Sequence, residues 1–232
     1  MRKILIIGAS SSIGQEIIKE FLSNDDQVLA SYNTNKIKFT GLGKSNLHTL
    51  KLDINCSDSQ KLFLNSIKNI GKIDVAIFLP ALLLGKSMKD YIDDEIKEVI
   101  DTNFSSQISL FQKLMRVFSK NASVIFMSSI SGQRGSYDPV YAASKAAQIG
   151  FIKSIALWEG SRIRINGIAP SLVDNSSMFD AMATKRQKYH TSQSPTGKLT
   201  SKKEIAKIVF DISGKSWSNV NGQIISVNGG IL

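Results

Sequence analysis

Seven short apolar runs recur along this chain, and residues at helical spacing fill the gaps between them. The runs are Lys3 to Ile7, Gln27 to Tyr32, His48 to Ile54, Ile73 to Leu79, Val124 to Met127, Arg162 to Ile168 and Gln223 to Val227. Each has the length of a strand and is too short for a buried helix. Between the first two, Ile13, Ile17, Ile18, Phe21 and Leu22 recur at helical spacing. After the third, Ser57 can cap a helix whose buried face carries Leu62, Phe63 and Ile67. A long helical pattern runs from Tyr91 to about Ser119 and carries Asn103, and Lys202 to Ile212 forms another. Strands that alternate with helices pair in parallel. Ile73 to Leu79 is almost continuously apolar, as a central strand covered on both faces requires.

This pattern predicts an α/β fold: a single doubly wound Rossmann-type domain with a mainly parallel seven-stranded sheet. A length of 232 residues suits one such domain and is marginal for two. No internal repeat or low-complexity linker divides the chain, so residues 1–232 are read as one unit. Residues 171–200, rich in Ser, Thr, Lys and Gln, lack a core pattern. They read as a substrate-covering lid or as a long surface excursion.

In a doubly wound sheet, ligands bind at the carboxyl ends of the strands. The first strand runs into Gly8-Ala9-Ser10-Ser11-Ser12-Ile13-Gly14 and then a helix. Strand, glycine-bearing turn and helix are what a pyrophosphate needs, because backbone N–H groups and a helix N-terminus face it. Gly8 allows the tight turn and Gly14 a close helix, while Ser12 stands where such loops often have a central glycine. The turn would also serve as an ordinary βα connection. The second strand ends without the acid that would bond the ribose hydroxyls of NAD and repel a 2′-phosphate. Ser31, Tyr32, Asn33 and Thr34 follow, then Lys36 and Lys38, which favours NADP(H) over NAD(H). Asp53, after the third strand, is a candidate contact for the adenine edge.

Tyr141 and Lys145 lie four residues apart, on one face of a helix and one turn from each other. A free phenol titrates near 10 and is a poor acid at neutral pH. An ammonium one turn away would stabilise the phenolate and make the pair usable for acid/base chemistry. Ala142, Ala143 and Ser144 between them are small enough to let another body approach.

Net charge is +10, from 29 Lys and Arg against 19 Asp and Glu. Such a surface invites nucleic acid, or an anionic cofactor, substrate or carrier. The basic residues are scattered, and the nearest cluster, Lys198 to Lys203, is short, so nucleic acid is not expected as a partner. The longest apolar run, Val75 to Leu84, contains Pro80 and is too short for a membrane span. The start, Met1-Arg2-Lys3 and then an apolar run broken at Gly8, reads as a first strand and not a signal peptide. One cysteine, Cys56, permits no internal disulfide and fits a reducing, cytoplasmic setting. No metal site is expected.

Taken in order, these motifs resemble the short-chain dehydrogenase/reductase family over essentially the whole chain. The turn from Gly8 to Gly14 resembles its cofactor loop, and Leu52-Asp53-Ile54 its adenine-contacting motif. Ser128-Ser129-Ile130-Ser131-Gly132 resembles the stretch that carries its catalytic Ser, and Tyr141 to Lys145 its Tyr-x-x-x-Lys. Ile163-Arg164-Ile165-Asn166 and the segment from Asn221-Gly222-Gln223 to Gly229-Gly230 are similar to its late motifs. The resemblance implies a catalytic set of Asn103, Ser129, Tyr141 and Lys145. It also implies cofactor contacts at Gly8, Ser10, Ser11, Ser12, Ile13, Gly14, Asn33, Asp53, Ile54, Tyr141, Lys145, Pro170 and Val173. Tyr141 would protonate a carbonyl oxygen, Ser129 would hold it, Lys145 would also bond the nicotinamide ribose, and Asn103 would support a relay water.

The chain departs from the family in places. Phe78-Leu79-Pro80-Ala81 stands for Asn-Asn-Ala-Gly, which removes polar side chains near the adenosine and, at Pro80, a backbone donor. Pro170-Ser171 stands for Pro-Gly, and Asn175 for a Thr. The gap from Ser129 to Tyr141 is one residue short; Ser128 would restore it, whereas Gly132 aligns with Ser129.

Three functions follow. One is an NADP(H)-dependent reductase of a 3-oxoacyl chain on an acidic acyl carrier protein, with Arg134 next to the site. Another is a reductase or dehydrogenase of a sugar or nucleotide-sugar ketone in surface polysaccharide synthesis. The third is a non-catalytic cofactor-binding scaffold. By resemblance, the helices from about residue 91 and from Tyr141 would pack on copies of themselves in a homodimer or homotetramer.

Overall fold

The computed structural model describes residues 1–37, 39 and 44–231; Lys38, named above for NADP(H), lies outside them. The seven-stranded sheet is built from β1 (Lys3–Ile7), β2 (Gln27–Tyr32), β3 (Leu47–Lys51), β4 (Ile73–Phe78), β5 (Phe118–Met127), β6 (Ile163–Pro170) and, last in the chain, β9 (Ile224–Val227). Its order is β3-β2-β1-β4-β5-β6-β9, and every adjacent pair is parallel. The first crossovers turn outward from β1 and the later ones run the other way, so the strand order reverses between β1 and β4. This is the doubly wound topology in which a crevice opens at the carboxyl ends.

Residue alternation divides the core between two layers. Ile4 and Ile6 of β1, with Ile125 of β5, pack under α1 (Ser12–Leu22) and α9 (Lys202–Ser213). Leu5 and Ile7, with Val124 and Phe126, pack under α2 (Ser57–Ile67), α4 (Ser106–Leu114) and α6 (Pro139–Glu159). Strands buried on both faces need the near-continuous apolar runs seen in the sequence.

Several boundaries differ from the sequence reading. β3 ends at Lys51; the Leu52 N–H makes a last bond to the Tyr32 carbonyl at 2.8 Å, and Asp53 and Ile54 have left the sheet. Ser57 is not the cap of α2. It is the first helical residue, after Cys56, and Ser59 instead accepts from the Asp53 N–H at 2.8 Å. Leu62 is 69% exposed, because the inward stripe of α2 runs through Gln60, Phe63 and Ile67 and leaves Leu62 out of phase. The long helix from Tyr91 is two helices, α3 (Asp93–Ile100) and α4, joined by a π turn at Asp101–Ser105. β5 begins at Phe118, where helix had been expected. Residues 171–200 carry β7 (Val173–Asp174), α7 (Ser177–Asp180) and α8 (Thr184–Ser192), and β7 pairs with β8 (Thr200–Ser201). Among the described residues, no helix is long and apolar enough to cross a membrane.

Gly14 lets α1 lie directly on the first turn. A Cβ there would sit 2.6 Å from the Ala9 carbonyl oxygen and 2.7 Å from its Cα. Glycine to alanine in an open helix gains up to about 1 kcal/mol, but forcing a backbone apart costs about 1–3 kcal/mol. Gly14→Ala should therefore lower the urea midpoint of unfolding; an unchanged or raised midpoint would show that the turn can yield.

Candidate active site

The crevice has two ends. At one, Gly8 is left-handed, with φ 77°, which a side chain would strain. Its N–H donates to Ser31 Oγ at 2.9 Å, and Ala9 N donates to the Ser31 carbonyl at 2.8 Å. These bonds tie the turn to β2. Ser11 caps α1 by accepting from Gly14 N at 3.0 Å, and Ser12 and Ile13 form the first turn of the helix. Beyond the turn opens a cleft of about 310 Å³. Gly8, Ser10, Asn33, Asp53 and Ile54 line it, as do Pro80 and Leu82. The Asp53 carboxylate accepts from Asn55 N at 3.0 Å, which holds the turn after β3. The far wall is Glu98 and Thr102, and Asn55 Nδ2 donates to Thr102 Oγ1 at 2.7 Å. Sequence reading passed over Glu98 and Thr102. Their spacing of four, just ahead of Asn103, was the available signal.

The Phe78-Leu79-Pro80-Ala81 departure separates into core and crevice. Phe78 is fully buried and stacks on Phe126, with ring centroids 4.4 Å apart and planes 2° from parallel. Pro80 lies against Gly8, where an added Cβ would meet its ring at 3.2 Å. The turn thus has no room for a side chain yet keeps its helix N-terminus, and this cradle fits a dinucleotide phosphate.

At the other end stands α6. Asp138 caps it, accepting from Tyr141 N at 2.9 Å, and also accepts from Gly85 N at 2.9 Å and the Tyr91 hydroxyl at 2.8 Å. The Tyr91 phenol is accordingly raised, first by burial and then by that bond. Pro139, at the first position of the helix, needs no N–H partner. Asp138 was missed in the sequence, although an Asp before a Pro and an apolar helix is a cap signal.

Tyr141 and Lys145 are buried, 6% and 1% exposed, with the amine 5.8 Å from the centre of the phenol ring. Of the two serines, Ser129 is the one whose hydroxyl acts on the phenol. It accepts from Ser131 N at 3.1 Å, whereas Ser128 turns back and donates to the Lys145 carbonyl at 3.2 Å. α5 (Ser131–Arg134) packs so closely on α6 that a Cβ on Gly132 would lie 2.6 Å from the Lys145 carbonyl carbon. Lys145 Nζ donates to the Met127 carbonyl at 2.7 Å and to Gln148 Oε1 at 3.4 Å. Burial pushes the lysine down to about 7. Burial also pushes the Tyr141 phenol up to about 12, and the Ser129 hydroxyl draws it part of the way back. The phenol is therefore not depressed in this state. Its lysine is occupied by a strand-end carbonyl, and burial works against both charges.

Asn103 is fully buried in the π turn. Its side chain accepts from Leu82 N at 2.6 Å and donates to the Leu82 carbonyl and Ser144 Oγ, both at 2.9 Å. Its own carbonyl accepts from Gln148 Nε2 at 2.8 Å and Gln107 Nε2 at 3.1 Å. Pro170 ends β6 at the same edge, and its carbonyl accepts from Ile130 N at 3.2 Å. Val173 is buried in the core layer of α1 and α9. Asn175 is exposed and left-handed, with φ 51°, and bonds Asp174. The fold thus gathers Asn103, Ser129, Tyr141 and Lys145 at one end and the Gly8–Gly14 loop with Asn33, Asp53 and Ile54 at the other. Beside α5, a further pocket of about 260 Å³ lies among Arg134, Tyr189, His190, Gln193, Gly230 and Ile231.

A family model described as enoyl-(acyl carrier protein) reductase matches residues 8–232. The chain is 30% identical over 235 residues to the 3-oxoacyl-[acyl-carrier-protein] reductase FabG of Salmonella typhimurium, covering 98% of this chain and 96% of that one. It is 29% identical over 241 residues to the uncharacterized oxidoreductase YmfI of Bacillus subtilis, covering 97% of each. Among solved structures, a short chain dehydrogenase family protein from Francisella tularensis superposes with a TM-score of 0.90 at 24% identity, over 100% of this chain and 98% of that one.

The buried lysine makes stability depend on pH. The folded molecule releases this proton near 7 and the unfolded chain near 10.5. Between those values the unfolded chain binds more protons, so raising the pH stabilises the fold. Tyr141 acts in the opposite sense, but only above its ordinary value of 10. From pH 7 to 9.5 the unfolding free energy of the wild type should therefore rise relative to Lys145→Met. Parallel curves for the two proteins would place the lysine in water.

Proposed function

The chain belongs to the short-chain dehydrogenase/reductase family of oxidoreductases, and we propose that it is an NADP(H)-dependent reductase of carrier-borne 3-oxoacyl chains. The observation that carries this reading is the joint burial of Ser129, Tyr141 and Lys145 at the carboxyl edge of the sheet, with the lysine one helical turn from the phenol. The Gly8 turn and the Ser10 to Gly14 segment would hold the cofactor's pyrophosphate. Asp53 and Ile54 would border the adenine, and Pro170 and the backbone at Val173 the nicotinamide half. Asn33, with no acid at the end of β2, suits a 2′-phosphate. The nicotinamide supplies a hydride when bound.

The chain's own residues handle the oxygen. Ser129 donates a hydrogen bond to the substrate carbonyl and polarises it. Tyr141 gives its proton to that oxygen, and the Lys145 charge stabilises the phenolate that remains. An amine that titrates near 7 loses this charge as the pH rises, so reduction slows on the basic side.

The carrier reading is supported by the FabG relative and by the basic face of α8. Lys185, Arg186 and Lys188 are exposed there, next to the pocket at Arg134 and Tyr189. An acidic carrier would be steered to such a face. The non-catalytic scaffold is the second reading, favoured by the apolar Pro80, Ala81 and Leu82 that line the cleft. The exposed, unpaired Cys56 fits a cytoplasmic enzyme.

With reduced-cofactor absorbance as the readout, Tyr141→Phe should lose at least about a hundredfold in turnover while still binding NADPH. Carrier-linked 3-oxoacyl substrate should be preferred to the free ketone at low salt, with the preference shrinking as salt rises. Equal use of both would favour a small free ketone, including a sugar ketone. A wild type inactive across a broad ketone panel would favour the scaffold.

Leu157 and Trp158 near the end of α6 are 76% and 79% exposed, an apolar surface that suits self-association through α6 and the α3–α4 stretch. Light scattering at micromolar concentration should give a dimer or tetramer mass, and a monomer would overturn that reading.

A further inference from the structure

We propose that Gln148 is a positioning residue for Lys145, an amide clamp that fixes the amine; this rests on the reading of Lys145 as part of the reductase site. Gln148, Gln107 and Asn103 are all 0% exposed. Gln148 Oε1 accepts from Lys145 Nζ at 3.4 Å. Its Nε2 donates to the Asn103 carbonyl at 2.8 Å and to Gln107 Oε1 at 3.4 Å. Gln107 Nε2 in turn donates to the carbonyls of Pro80 at 2.9 Å, Thr102 at 2.9 Å and Asn103 at 3.1 Å.

Each amide can face only one way. Turning Gln148 over would set its NH₂ against the amine and its oxygen against a carbonyl. The Asn103 carbonyl thus holds the Gln148 amide from the side opposite the amine. The clamp is also neutral. It favours the charged amine as a dipole does, and it neither gives nor takes a proton. The titratable groups facing Lys145 are few. Tyr141 lies one turn back on α6, and Asp138, at the helix cap, acts on Tyr141. β5, the π turn and α4 bring the Met127 carbonyl, Asn103 and Gln107, all uncharged.

The test is a pair of variants, Gln148→Met, of similar volume without the amide, and Gln148→Glu. Lys145 is followed by ¹³Cε lysine NMR, its resonance identified with Lys145→Met, and kcat and KM are measured across pH. Gln148→Met should move the lysine titration and the basic limb of kcat to lower pH. Its kcat should fall on the order of tenfold, the weight of one hydrogen bond to a charged group, with KM for the ketone little changed. Gln148→Glu, a carboxylate beside the amine, should move both to higher pH. Identical titrations in all three proteins, or shifts of the same sign in both variants, would overturn the clamp. Opposite shifts in a protein that reduces no ketone would support the clamp and sink the reductase reading.

Discussion

An amine buried almost completely is the most demanding group in this molecule. Removing a charge from water costs several kcal/mol unless polar partners surround it, and Lys145 is answered only by neutral ones: the Met127 carbonyl and the Gln148 amide. Those partners come from a strand end and from the lysine's own helix, and Asn103 in the π turn and Gln107 on α4 orient the amide. The elements that carry them must therefore meet at one point, which is the carboxyl edge of the sheet. Asp138 serves the same end from the helix cap, because it ties the loop at Gly85 and Tyr91 to the first turn of α6. The lysine is thus poised between charged and neutral, and a small change in its surroundings changes its charge.

The opposite end of the crevice is organised by close approach of the backbone. Gly8 and Gly14 have no side chains, and in consequence a strand, a turn, a helix and the ring of Pro80 converge within contact distance. Ser31 fastens that turn to the neighbouring strand through both its hydroxyl and its carbonyl. A site with one close-packed end and one electrostatically balanced end divides the work. The first holds position, and the second responds to what arrives.

Much of this was legible in the sequence, for identifiable reasons. Period-two burial on both faces produces apolar runs that are hard to mistake, and β1, β2 and β4 start where those runs start, with only the end of β4 a residue short. Tyr141 and Lys145 share a helix face because helical spacing is local. What was not legible depends on tertiary partners. Leu62 reads as core until α2 is set in phase by Phe63 and Ile67. The third strand loses Asp53 and Ile54 because Ser59 captures the Asp53 N–H and turns the chain. The Gln148–Gln107 pair is invisible in one dimension, since polar residues on a helix ordinarily face solvent and these two are satisfied by each other, by the Lys145 amine and by carbonyls beyond their own helices.

The π turn at Asp101–Ser105 hides even better, because apolar spacing continues through it. Such a turn carries one residue more than an α-helix would use for the same advance. Deleting any one of those five would let α3 and α4 fuse into a continuous rod. Everything ahead of the deletion would then rotate by about 100°, swinging Glu98 away from the cleft. Elsewhere in a helical connection a lost residue shortens a surface loop; here it would be felt as a change of phase, and the length of this short stretch is held as tightly as the identity of any residue in it.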